Sequence, residues 1–156
     1  MRVYRLIRAP WVRQALTGAG ARRYGSRWNP KGVPMIYTAS TLSLAALETL
    51  VHFAVDTAPL DYVAVTIRVP SDSVERLAEK ELPPDWNATP APLACQELGA
   101  RWAKKAEGLG LAVPSAVVPS EQNVLLNPLH PDFDKVVLEN EEPFLFDSRL
   151  LAKDRR

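Results

Sequence analysis

The clearest β-strand in this sequence is the run Tyr62-Val63-Ala64-Val65-Thr66-Ile67-Arg68-Val69. It is rich in β-branched residues, which pack well on a pleated sheet. Further strand signals lie on both sides of it, at Val3–Ile7, Met35–Thr38, Ala112–Val118 and, more weakly, near Phe144–Phe146. Because strands outnumber helices and the two do not alternate strictly, the pattern predicts an α+β fold rather than a doubly wound parallel sheet.

Two helices are predicted, one from about Leu42 to Val55 and one from about Leu93 to Glu107. Ser40 or Thr41 would cap the first helix, and Gly108 would end the second. Fourteen prolines punctuate the chain, and those in the C-terminal half divide it into short pieces.

The first predicted helix carries Glu48 at the margin of its apolar face. At about 100° per residue, that face comprises Leu44, Leu47, Leu50, Val51 and Val55, and the other comprises Ala45, Glu48, Thr49 and His52. Periodicity therefore favours a solvated carboxylate at Glu48. A functional carboxylate there requires a cleft that runs along this margin of the helix.

The chain begins with an acid-free basic block, and its first acidic residue is Glu48. The preceding cations are Arg2, Arg5, Arg8, Arg13, Arg22, Arg23, Arg27 and Lys31. Such a block repels itself unless it meets a phosphorylated small molecule, nucleic acid, a membrane surface or the chain's own acidic remainder. The net charge of +1 and the pI of about 7.9 argue against a dedicated nucleic-acid binder.

The length and composition predict one globular domain covering residues 1–156. The chain has 156 residues, of which 47% are hydrophobic and 24% charged. No apolar run approaches the roughly 18 residues needed to span a bilayer, and the N-terminus lacks the apolar core of a secretory signal. The single Cys95 excludes an internal disulfide and a cysteine-based zinc cage. We expect a cytoplasmic protein with one irregular loop at residues 83–92.

One loop has the composition of a phosphate-binding segment, namely Tyr24-Gly25-Ser26-Arg27-Trp28-Asn29-Pro30-Lys31-Gly32. The planar guanidinium of Arg27 can bind two oxygens at once, and the aromatic rings beside it can stack on a base. The structural alternative is a β-turn in which Trp28 packs into the core and Arg27 pairs with an acid. No GxGxxG or GxxxxGK[ST] fingerprint accompanies the loop.

The C-terminal half contains two serines and two asparagines of interest. Ser115 interrupts an apolar strand, where its hydroxyl is costly to bury without a partner. Ser120 lies in a turn, where a serine needs no functional explanation. Asn123 and Asn127 bracket a short apolar run, and both are interpreted as satisfying backbone groups.

Metal binding and nucleophilic catalysis find little support in the sequence. His52 and His130 are the only histidines, and neither has metal-ligand spacing. No GxSxG elbow is present. Cys95, inside the second predicted helix, is interpreted as a small buried hydrophobe.

Several of these segments together resemble the RES domain family, which is named for its Arg, Glu and Ser. The resemblance rests on Arg27 in Gly-Ser-Arg-Trp-Asn, Glu48 in Ala-Ala-Leu-Glu-Thr-Leu-Val-His, and Ser115 in Val-Pro-Ser-Ala-Val-Val-Pro. It extends to Tyr37 in Ile-Tyr-Thr-Ala and to residues 123–133, and it spans nearly the whole chain. The Val-Pro-Ser context makes Ser115, rather than the nearby turn serine, the match to the family's serine.

The resemblance implies an ADP-ribosyltransferase-like fold, in which a split mixed sheet surrounds an NAD cleft. It also implies a toxin of a bacterial toxin–antitoxin pair that breaks the nicotinamide–ribose bond of NAD. The ADP-ribose would pass to water, phosphate or a protein. The expected partner is an antitoxin with an Xre-type helix-turn-helix domain, bound to a toxin homodimer. No metal, direct DNA contact or membrane contact is expected.

From the chemistry of NAD cleavage we hypothesise a role for each matched residue. Arg27 would hold the pyrophosphate of NAD, assisted by Lys31. Glu48 would stabilise the positive charge that develops on the ribose as the glycosidic bond breaks. Tyr37 would stack on the nicotinamide or orient the ribose, and Ser115 would form a hydrogen bond on the nicotinamide side.

Two functions of other classes remain open on the sequence. A non-catalytic module could bind nucleotide or RNA through the Arg-rich region; a steep loss of affinity with salt, without NAD turnover, would favour it. An interaction protein could instead antagonise its partner by complex formation alone.

Overall fold

The computed structural model describes residues 1–52 and 61–151. Its strands are β1 (Arg2–Arg8), β2 (Ile36–Ala39), β3 (Tyr62–Arg68), β4 (Val74–Arg76), β5 (Gly110–Pro114), β6 (Gln122–Leu126) and β7 (Val137–Phe144). Its α-helices are α1 (Ala19–Tyr24), α2 (Leu42–Leu50), α3 (Leu93–Lys105) and α4 (Ser148–Leu151). Short 3-10 segments lie at Ala9–Gln14, Ser71–Ser73, Glu79–Glu81 and Phe133–Lys135.

Within these described residues, the strands form one seven-stranded sheet in the order β4-β5-β6-β2-β1-β3-β7. The β4–β5 pair is parallel, and the other neighbours are antiparallel. In the described strands, β1 and β2 are paired at a single position, Tyr4 with Ala39. The sheet is therefore two well-paired halves joined by a narrow contact, and the expected α+β fold with a split mixed sheet is confirmed.

Two helices cover the same face of this sheet. Ala39 pairs with Asn123, and Asn123 pairs with Val113, so these three residues share one face. On that face α2 packs over one half of the sheet, in a cluster of Leu6, Ala39, Leu44, Ala45, Ala64 and Phe146. Helix α3 contributes to a second cluster on that face, made of Trp28, Met35, Cys95, Trp102, Leu111, Val113 and Leu125. The opposite face packs against Ala15, which follows the N-terminal 3-10 segment.

Helix α2 buries a different side from the one that periodicity predicted. Leu44 and Ala45 are buried, whereas Leu47 and Val51 are 38% and 57% exposed. Leucines occur on several sides of this helix, so periodicity selects no single face. Glu48 follows the two buried residues by three and four positions and therefore lies on the side that faces the sheet. It is half-buried, and its interpretation as a solvated carboxylate is wrong.

The helix ends differ from the predicted ones. Helix α2 ends at Leu50, and the predicted end at Val55 lies outside the described residues. Helix α3 ends at Lys105, because Ala106 adopts the left-handed conformation with φ of 51° before Gly108 is reached. Helices α1 and α4 were not predicted. No helix in residues 1–52 and 61–151 is both long enough and apolar enough to cross a bilayer.

The N-terminal strands were predicted well, and the C-terminal ones less well. The strand predicted at Ala112–Val118 ends at Pro114, because the chain turns at Ser115. The weak signal near Phe144–Phe146 marks only the end of β7, which is a largely exposed, Glu-rich edge strand without apolar alternation. Strands β4 and β6 were not predicted: β4 has only three residues, and β6 was interpreted as a short apolar run bracketed by Asn123 and Asn127.

Candidate active site

Glu48 projects from α2 toward the sheet and is held on one side only. Its Oε1 accepts hydrogen bonds from Ser115 Oγ at 2.7 Å and from Asn123 Nδ2 at 2.5 Å. Its Oε2 has no hydrogen-bond partner among the described residues. The carboxylate is therefore fixed in direction, while one oxygen stays available to a ligand.

The turn after β5 is attached to α2 at two points. Thr41 caps the helix, since its Oγ1 accepts the N–H of Leu44 at 3.1 Å. The same hydroxyl donates to Oε2 of Glu121 at 3.2 Å. The bond between Ser115 and Glu48 is the second attachment, about two turns further along the helix. These contacts fix the helix, and Glu48 with it, relative to the sheet.

Ser115 is fully buried, and its hydroxyl is saturated. Its oxygen accepts the N–H groups of Val117 at 3.0 Å and Val118 at 2.9 Å. The single hydroxyl hydrogen is therefore directed to Glu48. Ser120, five positions along, is exposed and makes no side-chain hydrogen bond within the described part of the chain. Ser115 is thus the serine that contacts the carboxylate.

Asn123 is a site residue that the sequence interpretation missed. Its side chain binds Glu48, not backbone groups. Asn127 does behave as interpreted: it donates to the carbonyl of Ala103 at 2.9 Å and accepts from Leu129 N at 3.1 Å. A usable signal existed, because Asn123 stands two residues before the buried Leu125 and so shares its sheet face.

Tyr37 lies on the same sheet face as Asn123. It pairs with Leu125 across the β2–β6 ladder, which makes Asn123 its diagonal neighbour, about 7–8 Å away. The Tyr37 hydroxyl donates to Oδ1 of Asn29 at 2.8 Å and accepts the N–H of Trp28 at 2.9 Å. Burial raises the pKa of the Tyr37 phenol above its usual value. The hydrogen bond from Trp28 N–H and the nearby charge of Arg27 offset only part of this rise. Tyr37 therefore connects the sheet with the Arg27 loop through a neutral hydroxyl.

Asn29 stabilises the Arg27 loop and was not singled out by the sequence. It is fully buried, and its Nδ2 donates to the carbonyl oxygens of Ala21, Pro30 and Val33 at 2.8, 3.1 and 3.0 Å. With Tyr37 on its Oδ1, all of its polar atoms are engaged. The loop conformation is thus fixed from within.

Arg27 is also held on one side only. Its Nη1 donates to the carbonyl oxygens of Trp86 at 2.6 Å and Ala88 at 2.9 Å, which anchors it to the irregular loop at residues 83–92. In residues 1–52 and 61–151, its Nε and Nη2 have no hydrogen-bond partner. That edge of the guanidinium has the fork geometry that binds two phosphate oxygens. Within residues 1–52 and 61–151, Arg27 forms no ion pair with an acid, whereas the expected burial of Trp28 is correct.

The acidic part of the chain neutralises little of the basic block. Among the described residues, Arg2 is the one early cation in an ion pair; it and Arg68 bind Glu139 at 2.6 and 2.9 Å. Arg5 instead donates to the carbonyl of Ala15 at 2.7 Å, and burial lowers its pKa to about 10. Lys31 is exposed at the rim of the Arg27 loop, without an ion pair in the described ranges. External anions therefore remain candidates for this region.

Two surface depressions border α2. A polar depression of about 580 Å³ is lined by Ser40, Thr41, Ser43, Arg76, Ser120, Glu121 and Gln122. An apolar one of about 410 Å³ is lined by Leu42, Ser43, Ala46, Leu47, Leu50, Phe144, Phe146 and Leu150. Neither is lined by Arg27, Tyr37 or Glu48.

Cys95, His130 and His52 were the other residues weighed for nucleophilic or metal chemistry. Cys95 is fully buried, its thiol lies 3.7 Å from the carbonyl of Trp86, and burial raises its pKa. His130 accepts the N–H of Asp132 at 3.0 Å within a turn, and His52 is exposed after α2. The described residues contain no group of three or more His, Cys, Asp or Glu that could hold a metal ion.

Comparison with known proteins gives consistent matches along the chain. The RES domain family model matches residues 2–147. The chain is 42% identical over 153 residues to "Toxin Res" of Photorhabdus laumondii, covering 97% of each chain. It is 39% identical over 152 residues to "Toxin Res" of Yersinia enterocolitica, covering 96% of this chain and 99% of the other. It is 40% identical over 141 residues to the "Prs ADP-ribosylating toxin" of a Sphingobium species, covering 88% of each.

A solved structure shares the fold. The toxin–antitoxin complex MbcT–MbcA of M. tuberculosis contains a chain that superposes with a TM-score of 0.72 at 24% identity. The match covers 92% of this chain and 83% of that one. The split sheet with helices on its face is therefore an architecture already seen in a solved protein.

Proposed function

The chain belongs to the RES domain family, and from that membership we propose that it is an NAD-consuming toxin of a bacterial toxin–antitoxin pair. Its relatives include proteins named Toxin Res and one named as an ADP-ribosylating toxin. ADP-ribosylation takes its ADP-ribose from NAD, which supports NAD as the substrate of this chain.

The observation that carries the proposal is the carboxylate of Glu48, in which only Oε1 is hydrogen-bonded within the described residues. When the bond between ribose C1′ and the nicotinamide nitrogen breaks, both electrons leave with nicotinamide, and positive charge develops on the ribose. A carboxylate oxygen fixed beside C1′ stabilises that charge without transferring a proton. Glu48 offers Oε2 for this purpose, since Oε1 is occupied by Ser115 and Asn123. The acceptor then bonds to C1′ and loses its own proton.

Arg27 is the proposed anchor for the pyrophosphate. Its Nη1 is committed to loop carbonyls, so the Nε–Nη2 edge is oriented before substrate arrives. Lys31 adds a second cation at the exposed rim of the same loop. Both charges suit the diphosphate of NAD better than a neutral ligand.

For two of the matched residues, hydrogen bonds support a role different from the one expected. The Tyr37 hydroxyl is engaged by Asn29 and Trp28, so we propose that the Tyr37 ring stacks on the substrate and that its hydroxyl does not orient the ribose. The Ser115 hydroxyl is buried and directed to Glu48, so we propose that it positions Glu48 rather than binding the nicotinamide side.

The proposal extends to an antitoxin partner. The solved protein of similar fold is the toxin of a toxin–antitoxin complex, which supports a partner of that kind. From the family resemblance we expect an Xre-type helix-turn-helix antitoxin bound to a toxin homodimer in the cytoplasm. Co-expression of this chain with the reading frame next to its gene, followed by co-purification, tests this part of the proposal.

The central experiment measures nicotinamide release. Purified protein, freed of any co-purified antitoxin, is incubated with NAD, and the products are separated and identified by mass spectrometry. We expect free nicotinamide together with ADP-ribose on water, phosphate or a protein. No release in the presence of water, phosphate and cell lysate would reject the enzymatic function.

One observation favours the alternative of a nucleotide- or RNA-binding module. Arg22 and Arg23 on α1 are exposed, Arg23 lies 5.3 Å from the centre of the Tyr24 ring, and Tyr24 is 67% exposed. Exposed cations with an aromatic ring are typical of single-stranded nucleic-acid surfaces. Salt-sensitive RNA binding without NAD turnover would favour this function.

A further inference from the structure

Asn123 contacts the carboxylate at the centre of the proposed site, although the sequence interpretation gave it a backbone role and it is not one of the family's three name-giving residues. We propose that Asn123 is a positioning residue: together with Ser115 it fixes Oε1 of Glu48, so that Oε2 faces the reacting carbon of the ribose. This inference rests on the proposed NAD chemistry and deepens it.

The chemistry of the contact defines which atom of Asn123 acts. An ionised carboxylate only accepts hydrogen bonds, so the amide must present its Nδ2–H to Glu48. The Nδ2 and Oε1 atoms lie 2.5 Å apart, and the acceptor carries a negative charge, which strengthens the bond. The Ser115 hydroxyl supplies a second donor to the same oxygen at 2.7 Å. Both donors on one oxygen leave the other oxygen unengaged within the described residues.

The two donors come from different elements, which fixes the carboxylate in two directions. Ser115 lies in the turn after β5, and that turn is itself attached to α2. Asn123 lies within β6, which pairs on one side with β2 and on the other with β5. A side chain on a doubly paired strand has a better-defined position than one on a loop.

The inference predicts how catalysis responds when the amide donor is lost. Without Asn123, Oε1 is held by Ser115 alone, and the carboxylate can rotate away from the ribose. Arg27, the proposed anchor of the diphosphate, is untouched by this change. We therefore expect kcat to fall while KM for NAD is retained, which is the signature of an interaction that acts in the transition state.

The test uses Asn123→Asp, Asn123→Ala and the matched control Asn127→Ala. Asn123→Asp keeps the shape but replaces the donor with a second carboxylate, and Asn123→Ala removes the donor without adding charge. For both we expect kcat to fall by about 10- to 100-fold, as for other small misplacements of a catalytic group, with KM within about twofold of wild type. Asn127→Ala leaves a buried carbonyl and an N–H without partners, so it should lower the melting temperature and leave kcat per folded molecule unchanged.

Each of the following results would overturn the positioning role of Asn123. An unchanged kcat in both Asn123 variants, or a raised KM with kcat retained, overturns the inference while leaving the NAD activity in place. A loss of activity that follows only the loss of folded protein, as in Asn127→Ala, also overturns it. A wild-type protein that releases no nicotinamide overturns the proposed function first, and the positioning role with it.

Discussion

The hydroxyl of Ser115 donates to Oε1 of Glu48 across 2.7 Å, although the two residues are 67 positions apart. The same hydroxyl accepts two backbone N–H groups, so it ties the shape of the turn to the direction of the carboxylate. Stability and catalysis are therefore coupled at this serine. Variants in this region need controls that separate the two.

Glu48→Gln separates the charge of the carboxylate from its hydrogen bonds. The glutamine carbonyl can still accept from Ser115 and Asn123, so the network and the fold are retained, whereas the negative charge is lost. We expect nicotinamide release to fall by about 100-fold or more, the magnitude seen when a group aligned with developing charge is removed. The measurement is single-turnover release of nicotinamide, with circular dichroism to check the fold.

Glu121→Gln is the matched control for this prediction. Glu121 is another half-buried glutamate of the same region, and its Oε2 accepts from Thr41. Its amide analogue should keep turnover close to wild type. Equal losses in both variants would mean that the region needs negative charge in general and that Glu48 has no special role.

Ser115→Ala should affect both stability and turnover. It leaves the N–H groups of Val117 and Val118 and one oxygen of Glu48 without their shared partner, a change worth about 1–3 kcal/mol of unfolding free energy. Turnover per folded molecule should fall as well, since the carboxylate loses one of its two donors. Urea denaturation and steady-state kinetics measure the two effects separately.

Ser120→Ala provides the comparison, because Ser120 is exposed and lies five positions away. Its unfolding free energy should stay within about 0.5 kcal/mol of wild type, as for most surface substitutions. If Ser120→Ala abolished turnover and Ser115→Ala did not, the assignment of the functional serine would be reversed.

The fold was predictable where packing in the sheet leaves a clear apolar or β-branched pattern in the sequence. Strands β1 and β3 are each seven residues long, and β3 is rich in β-branched residues, so both give a clear strand signal. Strand β7 escaped detection because its exposed edge imposes no apolar alternation. The buried face of α2 escaped because its leucines surround the helix, and only packing against the sheet decides that Ala45 is buried.

The residues of the candidate site were likewise predictable only in part. Ser115 could be singled out because it interrupts an apolar strand, whereas Arg27 and Glu48 were assigned through the resemblance to the RES family. The spacing from Leu125 indicates the sheet face of Asn123, but its contact with Glu48 depends on the pairing of β6 with β2 and β5, and a single sequence does not reveal strand register. The one-sided anchoring of Arg27 depends likewise on the fold of a remote loop.

Arg27→Lys tests whether the free edge of the guanidinium binds the diphosphate. Lysine keeps the charge but loses the planar fork, so it can neither bridge two loop carbonyls in the same way nor bind two oxygens at once. We expect KM for NAD to rise by about tenfold or more, together with faster hydrogen exchange around Trp86 and Ala88. Arg22→Lys, on the exposed surface of α1, should change neither quantity. A rise in KM for both variants would indicate general electrostatic attraction instead of a specific anchor.

Gly99→Ala tests how α3 supports the Arg27 loop. A Cβ at Gly99 would lie 1.8 Å from the carbonyl oxygen of Trp28, so the helix and the loop backbone must separate to accept it. Overpacking of this kind costs about 1–3 kcal/mol, and the displaced loop should raise KM for NAD because Trp28 directly follows Arg27. Gly20→Ala in α1 meets nothing within 4 Å and should raise stability by up to about 1 kcal/mol. Thermal unfolding and KM, measured on both variants, check the prediction. A Gly99→Ala protein with wild-type melting temperature and KM would show that the close contact of α3 with the loop is not needed for the site.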